Sequence, residues 1–492
     1  MTEALRVVAA LEGKHLFITG VSGFLGKALL EKLLRCNPDI SSVTLMLRPS
    51  SDYSSATERF WQEIYPSSVF DRLREEQGDE AFRFFCEQKI QCITGELTQS
   101  RFALSSEEYG QLAQKIDVVI NSAASVNFRE PLDQALQINT LSLLHVVDFL
   151  EAAGGIPLVH VSTCYVHGYH RGQLQEQAVQ AYDEEAICDF GDSLDESVLI
   201  DRLHDAMMTL KQRKQGQDEE HALIDLGIDL ANKFGWNDTY TFTKWLGEQL
   251  LLRHLPGNRL SIVRPSIIES AYEEPRPGWI EGVKVADALT LAYARRRFSL
   301  FPARRKGVLD VVPVDRVVNA VILSLAERLL CKDDDAVASI YQVCSSTASP
   351  VTVGEYIDIV TNELNTHWER FPRLTRQRRP GQGLKAVHRG AFLAAMQSQR
   401  ALLKAKLKLS HGDVKVEEKL KSVEITLKLA TIYSFYTNPH YVFDNSHLMA
   451  MSQRFTQLDQ ERYQVGCDTI DWQHYLRRVH LPGLERYGMS GS

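Results

Sequence analysis

Apolar residues come in short blocks rather than in one long run. Positions 14–19 (KHLFIT) form such a block, and a glycine loop follows at once. From about Phe24 to Cys36 the spacing changes. Leu25, Ala28, Leu29 and Leu33 recur three and four residues apart, which predicts a helix with one apolar face. Pro38 and Asp39 stop it. A second block, 43–47 (VTLML), reads as a buried strand. The three pieces make a βαβ unit of about 35 residues at the start of the chain. Further blocks at 89–93, 116–120, 157–162 and 260–263 predict more buried strands, with helical stretches between them. Strands alternating with helices predict an α/β fold built on a doubly wound parallel sheet.

Two stretches break this rhythm. Residues 176–230 hold 15 acids against 4 Lys and Arg in helix-like patches, which predicts a helical insertion on the surface with a solvated acidic face. Residues 370–412 hold eleven Lys and Arg and no Asp or Glu. A helix pattern at 350–366 precedes the basic segment, and another at 416–437 follows it. The expected division is a larger unit over 1–370, carrying the insertion at about 171–232, and a mainly helical unit over 371–492. No internal repeat or low-complexity tract appears.

Composition narrows the class. The chain has 492 residues, 44% hydrophobic and 24% charged, which excludes disordered, collagen-like and coiled-coil proteins. The formal net charge of −8 argues against nucleic-acid binding by bulk electrostatics. Eight cysteines lie scattered with no C-x-x-C spacing, so neither a zinc ribbon nor a thioredoxin-type motif is expected. Metal ligation has no supporting cluster in the sequence. Met1 to Leu11 lack the layout of a signal peptide, and no apolar run reaches the roughly 18 residues of a membrane span. The expectation is a soluble, intracellular, multi-domain protein.

Candidate chemistry begins at Thr19-Gly20-Val21-Ser22-Gly23-Phe24-Leu25-Gly26, between the first strand and its helix. Glycines there allow a tight turn and let backbone amides approach a pyrophosphate at the helix N-terminus. The second strand ends in Leu47-Arg48, where an NAD site wants an acid for the ribose hydroxyl. An arginine fits a 2′-phosphate by charge and by fork geometry, so NADP is the preferred cofactor. Tyr240 and Lys244 stand four apart on a predicted helix and share a face. An ammonium near a phenol favours phenolate, so Lys244 is expected to lower the pKa of Tyr240. The phenol would then serve as a proton donor to a developing alkoxide. Ser162 and Thr163 follow the strand that ends at Val161, at the edge where open α/β sheets bind ligands. Thr163 is the preferred hydroxyl for a substrate carbonyl, with Ser162 close behind.

Together these residues resemble the extended short-chain dehydrogenase/reductase family. Within it the chain is similar to the fatty acyl-CoA reductases of the bacterial alcohol-forming type. The supporting segments are TGVSGFLGK (19–27), NSAASVNF (121–128), Ile138-Asn139-Thr140, VSTCYV (161–166), YTFTK (240–244), Val263-Arg264-Pro265-Ser266 and Pro313-Val314-Asp315. In the tail they are Phe443-Asp444-Asn445, Asp471-Trp472 and the stretch from Tyr475 through Gly483 to Tyr487. The resemblance implies a Rossmann-like sheet and a helical C-terminal unit. It implies that Thr19, Gly20, Ser22, Gly23, Phe24, Leu25 and Gly26 hold the NADPH pyrophosphate and that Arg48 meets its 2′-phosphate. Glu96 and Leu97 would contact adenine, and Asn121, Ala123 and Ala124 would line the middle of the cofactor. Pro265 and Ile267 would flank the nicotinamide. Thr163, Tyr240 and Lys244 match the catalytic triad, with threonine in place of the commoner serine. Thr163 and Tyr240 stand 77 residues apart, far more than in most members, and the acidic insertion fills that gap as a candidate cover for an acyl pocket.

The implied reaction is NADPH-dependent reduction of long-chain fatty acyl-CoA to fatty alcohol through a fatty aldehyde. An alternative is a two-electron reductase that releases aldehyde, from acyl-CoA or from an acyl carrier protein. Another is a lipid-surface protein that binds NADP without turnover. A sugar-nucleotide epimerase fits poorly with Arg48 and the tail. Cys164, beside Thr163, lacks an evident base, and His160, like His167, is expected to pack. The basic segment 370–412 reads as a solvated helix, a contact for an anionic membrane surface, or a site for CoA phosphates or an acidic carrier protein. A cytoplasmic location, peripheral membrane contact and a homo-oligomer are all compatible with the resemblance.

Overall fold

The computed structural model describes residues 4–182, 184–191, 196–296, 300–331, 337–381, 384–409 and 413–489. Seven parallel strands form its central sheet: β1 (His15–Thr19), β2 (Ser42–Leu47), β3 (Ile90–Thr94), β4 (Val118–Asn121), β5 (Leu158–Val161), β6 (Leu260–Pro265) and β7 (Ser339–Val343). Their order is β7-β6-β5-β4-β1-β2-β3, so the winding reverses between β1 and β4. Register aligns Thr19 with Met46 and with Asn121, and Asn121 with His160. The C-terminal ends of the central strands therefore share one edge, beside the reversal point where such sheets bind ligands.

The apolar blocks split by alternation. Leu16 and Ile18 pack on one face with Leu29, Leu33, Val317 and Val321, from the helices Phe24–Cys36 and Val314–Leu330. Phe17 packs on the other with Phe149 and Leu250, from the helices Ser142–Ala152 and Thr239–His254. A strand buried on both faces needs apolar residues at every position, which is why these blocks show no polar alternation.

The acidic insertion is helical, over Glu184–Gly191, Glu196–Lys211 and Gln217–Phe234. Its apolar stripe, including Leu199, Leu203, Leu223 and Leu230, packs on Phe242, Trp245 and Leu246 of the helix Thr239–His254. The insertion thus braces the outer face of the helix that carries Tyr240 and Lys244.

The C-terminal residues join the same core. Tyr475 and Leu484 belong to one apolar cluster with Leu16 and Val43. Tyr441–Phe443 pairs in parallel with Gly172–Leu174. The amide of Gln342 on β7 donates to the carbonyls of Leu174 and Asp444, at 2.9 and 2.7 Å.

The helix Thr239–His254 is tied to β6 by Arg264 and Glu248, both without exposed surface. Arg264 Nε and Nη2 donate to the two carboxylate oxygens at 2.9 and 2.5 Å, and Nη1 donates to the Gln177 carbonyl at 2.9 Å. Removing one partner of such a pair strands a buried charge at a cost of about 3–5 kcal/mol. Glu248→Ala should therefore lower the urea unfolding midpoint strongly. The double variant Glu248→Leu with Arg264→Met should recover most of the loss; two equally unstable variants would mean that Arg264 acts through its other partners alone.

Candidate functional site

The glycine loop lies where the sheet reverses. Gly20 has a left-handed φ of 74°, and a β-carbon there would come within 2.5 Å of the Ala123 backbone nitrogen. A β-carbon on Gly26 would come within 2.3 Å of the Gly20 carbonyl oxygen. Only glycine permits both approaches, and together they bring the first turn of the helix Phe24–Cys36 up to the strand ends. That open helix start, capped by the Gly23 backbone without a side-chain bond, is suited to a phosphate. Ser22, Phe24 and Leu25 stay partly exposed around it, and Phe24 stacks on Trp279 at 5.1 Å.

The other expected cofactor contacts rim the same edge. Arg48 is exposed just beyond β2. The Gly95 amide donates to the Leu47 carbonyl at 3.1 Å, which sets Glu96 and Leu97 beside the end of β2. Ala123 and Ala124 follow β4, half-buried beside Gly20. Pro265 ends β6, and Ile267 begins the short strand Ile267–Glu269. This set fits a dinucleotide with a 2′-phosphate.

Thr163, Tyr240 and Lys244 come together across β5, despite their separation in sequence. Asp238 caps the helix Thr239–His254 by accepting from the Thr241 amide at 2.8 Å, which fixes where the helix starts. The Tyr240 hydroxyl lies beside that of Thr163. Thr163 in turn donates to the Pro265 carbonyl at 3.4 Å. Ser162 is buried and its hydroxyl has no partner among the described residues, so Thr163 is the hydroxyl that the structure joins to Tyr240.

Lys244 is 1% exposed and donates to the Val161 carbonyl at 2.7 Å. Its Nζ lies 3.2 Å from His160 Nε2, and Asn121 Nδ2 lies 3.1 Å from His160 Nδ1. Thr19 completes the row through its hydroxyl on the Asn121 amide. Burial and the Lys244 charge hold His160 well below the usual imidazole range, so the ring is neutral. An ammonium offers only donors. His160 Nε2 must then accept, Nδ1 must carry the hydrogen, and the Asn121 amide oxygen is the group that suits it. Four buried side chains thus form one continuous polar row under the sheet edge.

Two electrostatic readings differ from the sequence expectation. Lys244 does not pull the Tyr240 phenol down; burial, with the Asp238 charge, pushes that phenol above its ordinary value, and the Thr163 contact only partly offsets them. The ammonium is directed to Val161 and His160 instead. Lys244 itself is lowered to about 8, because burial penalises its charge. Cys164 donates to the Arg264 carbonyl at 2.9 Å, and burial raises its thiol well above the usual range, so it is no nucleophile. His167 bonds Gln342 at 2.8 Å and stays neutral, as a packing residue does.

A family model described as "Male sterility protein" matches residues 18–321, and a second with the same description matches 402–490. "Fatty acyl-CoA reductase 2, chloroplastic" of Arabidopsis thaliana is 32% identical over 503 residues, covering 100% of this chain and 81% of its own. The chain belongs to the fatty acyl-CoA reductase family. The "Alcohol-forming fatty acyl-CoA reductase" of Simmondsia chinensis is 27% identical, covering 98% of this chain and 99% of its own. The terminal R domain from the myxalamid PKS-NRPS biosynthetic pathway shares the fold with a TM-score of 0.59 at 17% identity, covering 99% of this chain and 92% of its own.

In this reductase several residues at the site make contacts that the sequence did not reveal, although Asn139 and Phe128 stand in segments that carried the resemblance. His160 was expected to pack, yet it touches Lys244. Asn139 donates to the Thr243 hydroxyl and accepts from the Ser125 amide, at 3.1 and 2.9 Å, clamping the 122–128 loop to the Tyr240 helix. Phe128 meets Tyr240 edge-on at 5.9 Å and Tyr436 at 5.5 Å. The Tyr436 hydroxyl donates to Asp238 at 3.2 Å. Glu269, Asp287 and His480 gather in a buried cluster where His480 Nε2 lies 2.9 Å from Asp287.

The lowered Lys244 has a signed consequence. In cofactor-free protein between about pH 8 and its ordinary value of 10.5, the unfolded chain holds a proton that the folded chain has lost. Folding stability must then rise with pH across that window. Relative to Lys244→Met, the wild type should gain up to ~3 kcal/mol over the window, read by urea unfolding at several pH values. A flat difference would show that Lys244 keeps its ordinary proton affinity.

Proposed function

We propose that this chain reduces long-chain fatty acyl-CoA to a primary fatty alcohol with NADPH, by two successive two-electron reductions through the aldehyde. The supporting observation is one juxtaposition. The neighbouring Thr163 and Tyr240 hydroxyls lie at the same sheet edge as the glycine cradle, with the aromatic rings of Phe128 and Tyr436 beside them.

The cofactor, when bound, supplies hydride. Gly20, Gly23 and Gly26 would hold its pyrophosphate at the helix start, and Arg48 would pair with its 2′-phosphate. Lys244 would hold the nicotinamide ribose. Thr163 and Tyr240 hold the carbonyl oxygen of the substrate, where negative charge develops. In the first reduction hydride adds to the carbonyl carbon, the carbon–sulfur bond breaks as the oxyanion collapses to the aldehyde, and CoA leaves as a thiolate that takes up a proton from solvent. In the second the Tyr240 hydroxyl gives its proton to the alkoxide oxygen. A phenol held neutral by burial carries that proton at neutral pH.

Location has a finer reading as well. Among the described residues no helix is long and apolar enough to cross a membrane. The helix Arg389–Leu409 packs along Val414–Thr437, and Leu402, Leu409 and Val414 are exposed among the lysines near their joined ends. This end of the pair would rest on an anionic lipid surface. Cosedimentation with phosphatidylglycerol vesicles, but not phosphatidylcholine vesicles, is expected, and Leu402→Asp with Leu409→Asp should abolish it. Equal recovery with both vesicle types would remove the reading.

The reaction is tested by NADPH oxidation with palmitoyl-CoA. Two NADPH consumed per CoA released, with hexadecanol as product, is the expected result. One NADPH per CoA with accumulating aldehyde would replace it by a two-electron reduction. Tyr240→Phe should lower kcat about 10²–10⁴-fold on palmitoyl-CoA and on hexadecanal, while NADPH binding stays within a few-fold. A variant that keeps its rate would take the proton donor elsewhere.

A further inference from the structure

Glu269, Asp287 and His480 meet in the core although they stand far apart in the chain. Glu269 ends the strand Ile267–Glu269, Asp287 lies in the first turn of the helix Val285–Ala294, and His480 ends the short helix Tyr475–His480. None of the three is more than 1% exposed. One nitrogen or carboxylate oxygen from each lies within 4.8 Å of those of the other two. His480 Nε2 is 2.9 Å from Asp287 Oδ1 and 3.9 Å from Glu269 Oε2. No metal-ligand motif spacing joins residues this far apart, so the sequence carries no sign of the cluster.

The hydrogens around His480 are set by its neighbours. The Tyr475 hydroxyl donates to the Ser270 carbonyl at 2.7 Å, which uses its one hydrogen. It therefore accepts from the Ser270 hydroxyl at 3.2 Å, and the Ser270 oxygen accepts from His480 Nδ1 at 3.1 Å. Nε2 is left facing the two carboxylates. A proton on Nε2 serves Asp287 alone, because 3.9 Å is beyond hydrogen-bond reach. The second Asp287 oxygen accepts from the Lys284 amide at 2.9 Å. The Ala286 amide approaches Glu269, yet neither Glu269 oxygen has a hydrogen-bond partner among the described residues. Lys284 is the cation that acts on Glu269, but its Nζ lies 4.2 Å over the Phe24 ring. Among the described residues only His480 comes within ion-pair distance of either carboxylate. A buried carboxylate left in this way is costly unless a cation or a proton reaches it.

We propose that Glu269, Asp287 and His480 hold a zinc ion that pins the C-terminal helices to the segment leaving the sheet edge. Zinc bonds of about 2.0–2.2 Å in a tetrahedral site put neighbouring donors about 3.3 Å apart. The 2.9 and 3.9 Å separations bracket that value. One imidazole and two carboxylates are a donor set that zinc takes. The two free oxygens of Glu269 bring the donors to four when both ligate, which closes the site without water and makes it structural. The bond from His480 Nδ1 to Ser270 fixes the tautomer that leaves Nε2 for the metal, as a second contact does for ligating imidazoles. Two positive charges also match the two carboxylates.

The test is the zinc content of the full chain, expressed with zinc in the medium, washed with EDTA and measured by plasma mass spectrometry. About one zinc per chain is expected in the wild type, and less than about a tenth of that in Glu269→Gln and in His480→Gln. A folded wild type without zinc overturns the proposal and means that a proton lies between the carboxyl groups. Zinc kept in full by a folded variant overturns it too, by placing the ion elsewhere. The chain has eight cysteines, which are the rival ligands. Cobalt supplied in place of zinc separates them without any variant, should the variants fail to fold. Nitrogen and oxygen donors should give weak visible bands alone, whereas an intense sulfur-to-cobalt band would assign the metal to cysteines and overturn the site.

Discussion

The Arg264–Glu248 pair fixes the position on which the rest of the site depends. Neither side chain touches solvent, so the fold carries the desolvation of two charges and must satisfy both. It does so with a two-point contact that sets both distance and rotation between β6 and the Tyr240 helix. Lys244 stands one turn before Glu248, and Pro265 follows Arg264 directly. The ion pair therefore places the ammonium and the Thr163 acceptor at once. A pair of this kind is a weak source of net stability but a strong source of a single geometry, which is what hydroxyls at hydrogen-bond range require.

Charge is kept low around the reaction site itself. His160 is held neutral, Lys244 is weakened as a base, and Tyr240 keeps its proton. Burial is the main cause of each, with the Lys244 charge adding to it at His160 and the Asp238 charge at Tyr240. A thioester brings little charge of its own, and an apolar chain brings none. A buried site of low charge suits such a substrate, because any hydroxyl dipole aimed at the carbonyl oxygen is poorly screened there.

Local patterns and distant contacts were not equally legible in the sequence. Six of the seven strands and the glycine turn follow from short apolar blocks, since strands covered on both faces leave a local imprint. β7 left none, because Gln342 breaks its block and is buried through partners in other segments, the carbonyls of Leu174 and Asp444 and the His167 ring. Thr163, Tyr240 and Lys244 were recognisable because their side chains sit in characteristic short segments. Asp238 and Tyr436 were not, and Phe128 and His160 were visible without their roles, because each matters through a partner in another segment. The expected effect of Lys244 on Tyr240 failed for a related reason. Spacing on a helix gives proximity, but the direction of the ammonium is set by Val161 and His160 on the neighbouring strand.

The pairing of Tyr441–Phe443 with Gly172–Leu174 closes a loop of some 270 residues around the sheet. Local contacts form early and those across long loops form late. As the chain leaves the ribosome, the glycine turn and β1 to β4 have their partners almost at once. The aromatic wall beside Tyr240 has to wait for Tyr433 and Tyr436, close to the end of synthesis. Until then Phe128 and Tyr165 lack the rings that cover them, and a nascent chain of this enzyme presents a sticky aromatic surface beside Tyr240.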